Sequence, residues 1–162
     1  MSQIVEIHIP IKEAVYQVKA RTYRTGQNFG KTPEETANIQ VSADDTAVRD
    51  TEEDVKRALS EIAGAMNPYV VQYFEEEFAK NEDNTDGNWL IELDMPFNYD
   101  TRATRTIQDS AFRYIVCRAL ADWYNDTKPD SAATYSSEAE VRMEEVKAAL
   151  KRRILNTYNA IS

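Results

Sequence analysis

The chemistry open to this chain is bounded by what it carries: one histidine, His8, one cysteine, Cys117, and four glycines among 162 residues. His8 lies in an alternating stretch that predicts a strand, with no neighbouring cysteine or second histidine. A lone histidine in that setting reads as structural rather than as a ligand or base. Cys117 falls on the apolar face of a predicted helix, where a thiol behaves as a small hydrophobe. Too few glycines remain to build a phosphate-cradling loop, and no nucleophile elbow, HExxH or paired-cysteine motif occurs. Glu82, Asn84 and Asp86 take the first, third and fifth positions of calcium-loop spacing, with Gly87 next. The twelfth position, which should supply a bidentate glutamate, is Leu93, and Glu92 comes one residue early. Asp86-Gly87 therefore reads as a tight turn. Tyr69, Tyr73, Phe74, Phe78 and Trp89 lack the interleaved Arg and Lys of a nucleic-acid stacking surface. Glu75-Glu76-Glu77 reads as a solvated helix face. The expectation is a protein without catalytic, cofactor-binding or metal-binding residues.

Composition sets further bounds. A chain of 162 residues is one domain's worth, able to bury about 70% of its unfolded surface without staples. A single cysteine leaves no internal disulfide, which suits a reducing compartment. The opening MSQIVEIHIPIKEAV lacks the regions of a signal peptide, and no run approaches the length of a membrane span. A net charge of −9 opposes nucleic-acid binding by the chain as a whole. The charge is unevenly placed. Residues 34–54 hold eight acids against Arg49 alone, while Lys147, Lys151, Arg152 and Arg153 dominate near the C-terminus. Two readings fit: acids and bases matched to helix dipoles, or head-to-tail complementarity between subunits.

The elements that must position any site follow from periodicity. Val5, Ile7 and Ile9 alternate with Glu6 and His8, predicting a short half-buried strand over 3–9. Pro10 then opens a helix whose stripe is Ile11, Ala14, Val15 and Val18, ending near Tyr23 with Gly26 as its stop. Residues 24–46 are polar and punctuated by Gly26, Gly30 and Pro33, and Thr32-Pro33-Glu34-Glu35 has the form of a capping box. That connection is either a mobile surface loop or an arm that orders against a neighbouring copy. A second helix starts at Asp45 or Thr51 and runs through Val55, Leu59, Ile62 and Met66. Pro68 should kink or break it before it resumes to about Ala79. Trp89–Met95 alternates as a second strand, expected to pair with the first and to set His8 against Glu92 or Asp94.

Thr104–Asp126 is the expected central core helix, with Asp100 as its cap and Arg105, Asp109, Arg113, Arg118 and Asp122 on its polar face. A short turn at Thr127–Asp130 should fold a last helix antiparallel against it. Ala132, Tyr135, Ala139, Met143, Val146, Leu150 and Ile154 mark the stripe of that helix. The predicted fold is mainly α: a small bundle of about four helices with a two-stranded antiparallel sheet, strands near 3–9 and 89–95. It forms a single domain over 1–162 with a polar arm at 24–46 and a C-terminal tail at 155–162.

The order of elements resembles the head–tail connector, or adaptor, proteins of tailed bacteriophages, those of Bacteroidales and crAss-like phages most of all. The resemblance lies in IVEIHIPIKEAVYQV, in DDTAVRDTEEDVKRAL, in WLIELDMP and above all in FRYIVCRALADWYNDTKPDSAATYSSEAEVRMEEVKAAL. It implies a structural protein of the virion neck, made in the host cytoplasm, that forms a ring of about twelve copies. Such a ring binds the portal protein and the next neck or tail ring, and DNA passes through it without specific binding. The resemblance transfers no catalytic, cofactor or metal residue. The candidate protein-interaction residues are Ile154, Leu155 and Tyr158, with Lys151, Arg152 and Arg153 as the basic lead into them. The other reading is a small phage-encoded interaction or regulatory protein, intracellular and without catalysis.

Overall fold

The computed structural model describes residues 2–29, 32–34, 45–75 and 88–155. Along them run β1 (Ser2–Pro10), α1 (Ile11–Phe29), α2 (Asp45–Ala65), β2 (Val70–Glu75), β3 (Asn88–Pro96), α3 (Ala103–Thr127) and α4 (Pro129–Leu150). The fold is mainly α, with four helices and one small antiparallel sheet among the described residues. Most of the expected 24–46 arm, the 81–87 turn with its calcium-like spacing, and the tail from Asn156 onward lie outside the described residues.

The two expected strands pair as their alternation requires. β1 buries Val5, Ile7 and Ile9 and exposes Ile4, Glu6 and His8. Antiparallel pairing sets Val5 against Leu93, Ile7 against Ile91 and Ile9 against Trp89, so both apolar rows share the inner face. This register places His8 opposite Leu90 and Glu6 opposite Glu92. His8 is therefore not directly opposite Glu92 or Asp94 as expected, and its Nε2 lies 3.7 Å from Glu6 on its own strand.

A third strand corrects the sequence reading. The helix ends at Ala65, and after the cis Asn67–Pro68 bond the chain forms β2 on the far side of β3 instead of resuming a helix. Val70, Val71, Tyr73 and Phe74 are β-branched or aromatic, residues that fit a pleated edge better than a helix once proline has broken the ladder. Tyr69 O accepts from Asp94 N–H at 2.8 Å, and Tyr73 meets Trp89 with ring centroids 6.0 Å apart. Glu75 thus ends a strand rather than lying on a helix face.

Helix α1 also departs from expectation, running through Gly26 to Phe29. Its buried stripe continues past Val18 into Thr22 and Gly26. Small residues on the packing face let contact with α2 and α3 outweigh glycine's helix penalty of about 1 kcal/mol.

The hairpin forms as predicted, except that its second helix ends at Leu150, short of Ile154, which the expected stripe included. α3 and α4 are joined by Lys128 alone, with Pro129 opening α4 where a missing N–H costs nothing. The Tyr124 and Tyr135 rings stack across it at 5.7 Å. α3 is walled in by α4 on one side and by α1, α2 and β1 on others. The sheet's inner face closes the core, where Ile7, Ile62, Ile91, Ile107 and Ile115 are fully buried.

Burial separates two isoleucines on one strand. Ile7→Ala should lower the unfolding free energy in urea by about 2–4 kcal/mol, while Ile4→Ala, at 59% exposure, should change it by under about 0.5 kcal/mol. Equal losses would contradict the register.

Candidate functional site

The residues singled out in the sequence divide sharply once folded. After α4 the chain turns at Lys151 and runs extended beside the loop that follows β3. Tyr99 and Arg153 form an antiparallel bridge, Asp100 N–H donates to Arg152 O at 3.2 Å, and Ile154 N–H donates to Asn98 O at 2.8 Å. Side chains reinforce this seam. The buried Asp100 carboxylate accepts from Arg152 at 3.2 Å and from Arg102 at 3.0 Å, and it also takes the backbone N–H of Arg102. Hydrogen bonding from Arg102 holds the Asp100 carboxyl below the usual carboxylate range. Arg153 donates to Leu150 O and to the Tyr69 hydroxyl at 3.1 Å, with its guanidinium over the Tyr69 ring.

Arg152 and Arg153 are therefore fasteners of this seam. What they fasten is apolar and bare: Ile154 is 52% exposed and Leu155 87%, with Phe97 nearby at 69%. Lys151 is exposed at the turn, and Tyr158 lies outside the described residues. The expected cap is not formed: Arg102, not Asp100, holds the cap position of α3 with no side-chain cap bond, and the Asp100 carboxylate takes the N–H of Arg102, just before the helix.

Charge gathers at a second place, between α2 and α3. Tyr114 donates to Glu61 at 2.7 Å, Arg118 lies 3.6 Å from Glu61 and 3.7 Å from Asp122, and Arg57 bridges Asp54 and Asp122. Three carboxylates here face two guanidiniums. Burial, then the nearby Asp122 charge, pushes the Asp54 carboxyl up to about 6, and burial raises Asp122 as well.

A groove of about 560 Å³ runs between α1, α3 and α4, lined by residues that include His8, Gln17, Arg21, Arg113, Cys117, Glu138 and Arg142. Burial and the Glu138 carboxylate push the Cys117 thiol up to about 11, the reverse of what activates a nucleophile. Arg142 is occupied by Glu145 at 3.0 Å and by Glu138 at 3.5 Å. Ser110 reaches from α3 to the same Glu145 at 2.8 Å. Arg142 is thus paired within α4, and the Ser110–Glu145 bond ties the hairpin together. Among the described residues no group of three His, Cys, Asp or Glu side chains is arranged to hold a metal ion, and no helix is long and apolar enough to cross a membrane.

Sequence reasoning missed Phe97, Val141 and the Asp100–Arg152 link. Val141 carried a signal: it is the apolar residue between Glu140 and Arg142, off the stripe of its helix, and it is 55% exposed. The other two follow from where the chain returns after α4, for which local pattern has no mark.

Two measurements test this geometry. Arg152→Ala should leave the core intact and speed amide hydrogen exchange at Ile154 relative to the centre of α3; unchanged protection would show that the side-chain link is idle. For Asp54, a folded pKa raised from 3.8 to about 6 means that the folded state holds the proton more tightly. Its contribution is fully present below the unfolded value and is lost as pH rises through about 6. Asp54→Asn should flatten stability between pH 4 and 6 and raise it at pH 7 by about 1 kcal/mol.

The chain matches no protein-family model, no curated protein and no solved structure.

Proposed function

We propose that this chain is a structural subunit of a ring in a tailed-phage neck, joining the portal to the tail around the DNA channel. One observation supports the reading above others. The C-terminal segment is fastened by Asp100, Tyr69 and two backbone hydrogen bonds, and it presents Ile154 and Leu155 bare to solvent. Apolar side chains left exposed on a rigidly held segment suit binding, because little ordering remains to be done when a partner arrives. The pattern resemblance to connector proteins supplies the kind of partner: copies of the same chain, the portal, and the next ring. A net charge of −9 suits a channel that must let DNA pass without gripping its phosphates.

Ring assembly needs two different surfaces per subunit, since identical surfaces would close a dimer. The fastened segment is one of them. Removing residues 155–162 should leave a folded chain with its thermal transition shifted by only a few degrees, because Leu155 contributes no core contact. The same truncation should abolish incorporation into particles, scored by composition of purified virions. Normal necks built from the truncated chain would refute the proposal, and a stable complex with a host protein in place of virion incorporation would favour the regulatory reading.

A further inference from the structure

The outer face of α4 carries a shallow, mostly apolar depression of about 550 Å³, lined by Ser137, Glu140, Val141, Glu144, Glu145 and Ala148. Val141, its one large apolar lining residue, stands 55% exposed. Glu145 is turned inward to Ser110 and Arg142, which leaves Glu140 and Glu144 as the acidic rim. Glu144 spends part of its charge on Lys147, 3.7 Å away, with its side chain still 75% exposed. The feature is an apolar notch with a negative border, on a helix face that no described element covers.

At the end of the same helix lies a surface of opposite character. Lys151 is exposed at the turn, and Ile154 and Leu155 follow as bare apolar side chains. We infer that the segment Lys151–Leu155 of one copy seats on the α4 face of the next copy, with Leu155 against Val141 and Lys151 beside Glu140 and Glu144. This rests on the ring reading and names the second surface that such a ring requires. Both halves of the contact are complementary: apolar meets apolar at the centre and base meets acid at the rim.

The contact forms between copies and not within one. Val141 and Leu150 are separated by about 14 Å of helix at 1.5 Å per residue. Beyond Leu150 the chain is held to the loop before α3 by the bond from Ile154 N–H to Asn98 O and by the Asp100–Arg152 pair. A copy cannot lay its own Leu155 on its own Val141 while that seam is closed. Two unlike surfaces on one subunit make a head-to-tail contact, which propagates into a ring or an open helix.

Cysteine cross-linking tests this on the full-length protein, because the one native thiol, Cys117, is buried and stays protonated. Mixing the Val141→Cys and Leu155→Cys proteins at high concentration under mild oxidation should give a disulfide-linked pair of unlike chains. The double variant should give a ladder of oligomers. Glu140→Lys should weaken association about fivefold, with recovery on adding Lys151→Glu. A disulfide within one chain, or no link between unlike chains, overturns the inference. So does capture of the Leu155→Cys chain by a portal protein in preference to Val141→Cys. Failure to cross-link by a chain that still enters particles sinks this contact and leaves the neck reading standing. Cross-linking by a chain that never enters particles does the opposite.

Discussion

The burial of α3 is the constraint on which the rest of the structure depends. Twelve of its 25 residues are buried, and they are spread around the helix rather than gathered in one stripe. A helix apolar on several sides must be enclosed on several sides. α4 covers one flank, α1 and α2 cover others, and β1 of the sheet lies across the remainder. The small residues Ser110, Ala111, Ala119 and Ala121 let those neighbours approach closely, and Ile107, Ile115 and Leu120 fill the space between them. Each neighbour has a buried face because α3 gives it one, so losing any of them would expose part of the same core.

Enclosure of α3 also explains where the polar groups sit. Charges at the rim of a packed helix must find partners or remain in water. On the α2 side, Tyr114, Arg118 and Asp122 meet Glu61, Arg57 and Asp54. Burial first, and the neighbouring Asp122 charge second, raise the proton affinity of Asp54 there. On the α4 side, Ser110 and Arg142 converge on Glu145. At the entrance of α3, Asp100 is taken up by Arg102 and Arg152. These clusters align α3 with its neighbours. The proposed interaction surfaces are apolar and lie at the far end and outer face of α4.

Much of this architecture was legible in particular residues. The alternation of Val5, Ile7 and Ile9 against Trp89, Ile91 and Leu93 specified both strands and their shared inner face. The long apolar run of α3, the stripe of α4 and the Thr127–Asp130 turn specified the hairpin, and Pro129 marked where the second helix begins. The expected single apolar face of α3 proved to be burial on several sides. Two readings failed for one reason. Tyr69, Val70, Tyr73 and Phe74 fit a helical spacing as well as a strand, and the open flank of β3 decided between them. Gly26 has the form of a helix stop, and the close packing of α1 against its neighbours carried the helix through it.

What the sequence determined by itself is most of the elements, β2 excepted, and which side of β1, β3 and α4 turns inward, because period and turn chemistry act over a few residues. Only the tertiary structure decided what the basic C-terminal run does. In the sequence Lys151, Arg152 and Arg153 are equivalent positive charges beside an apolar tail. In the fold, Arg152 lies within reach of Asp100, 52 positions earlier in the chain, and Arg153 within reach of Tyr69, 84 positions earlier. No local pattern encodes those separations. They follow from α4 running back along α3 for most of its length, which closes the chain onto the loop before α3. That closure is what turns two of the three charges into fasteners and leaves Lys151, Ile154 and Leu155 facing outward.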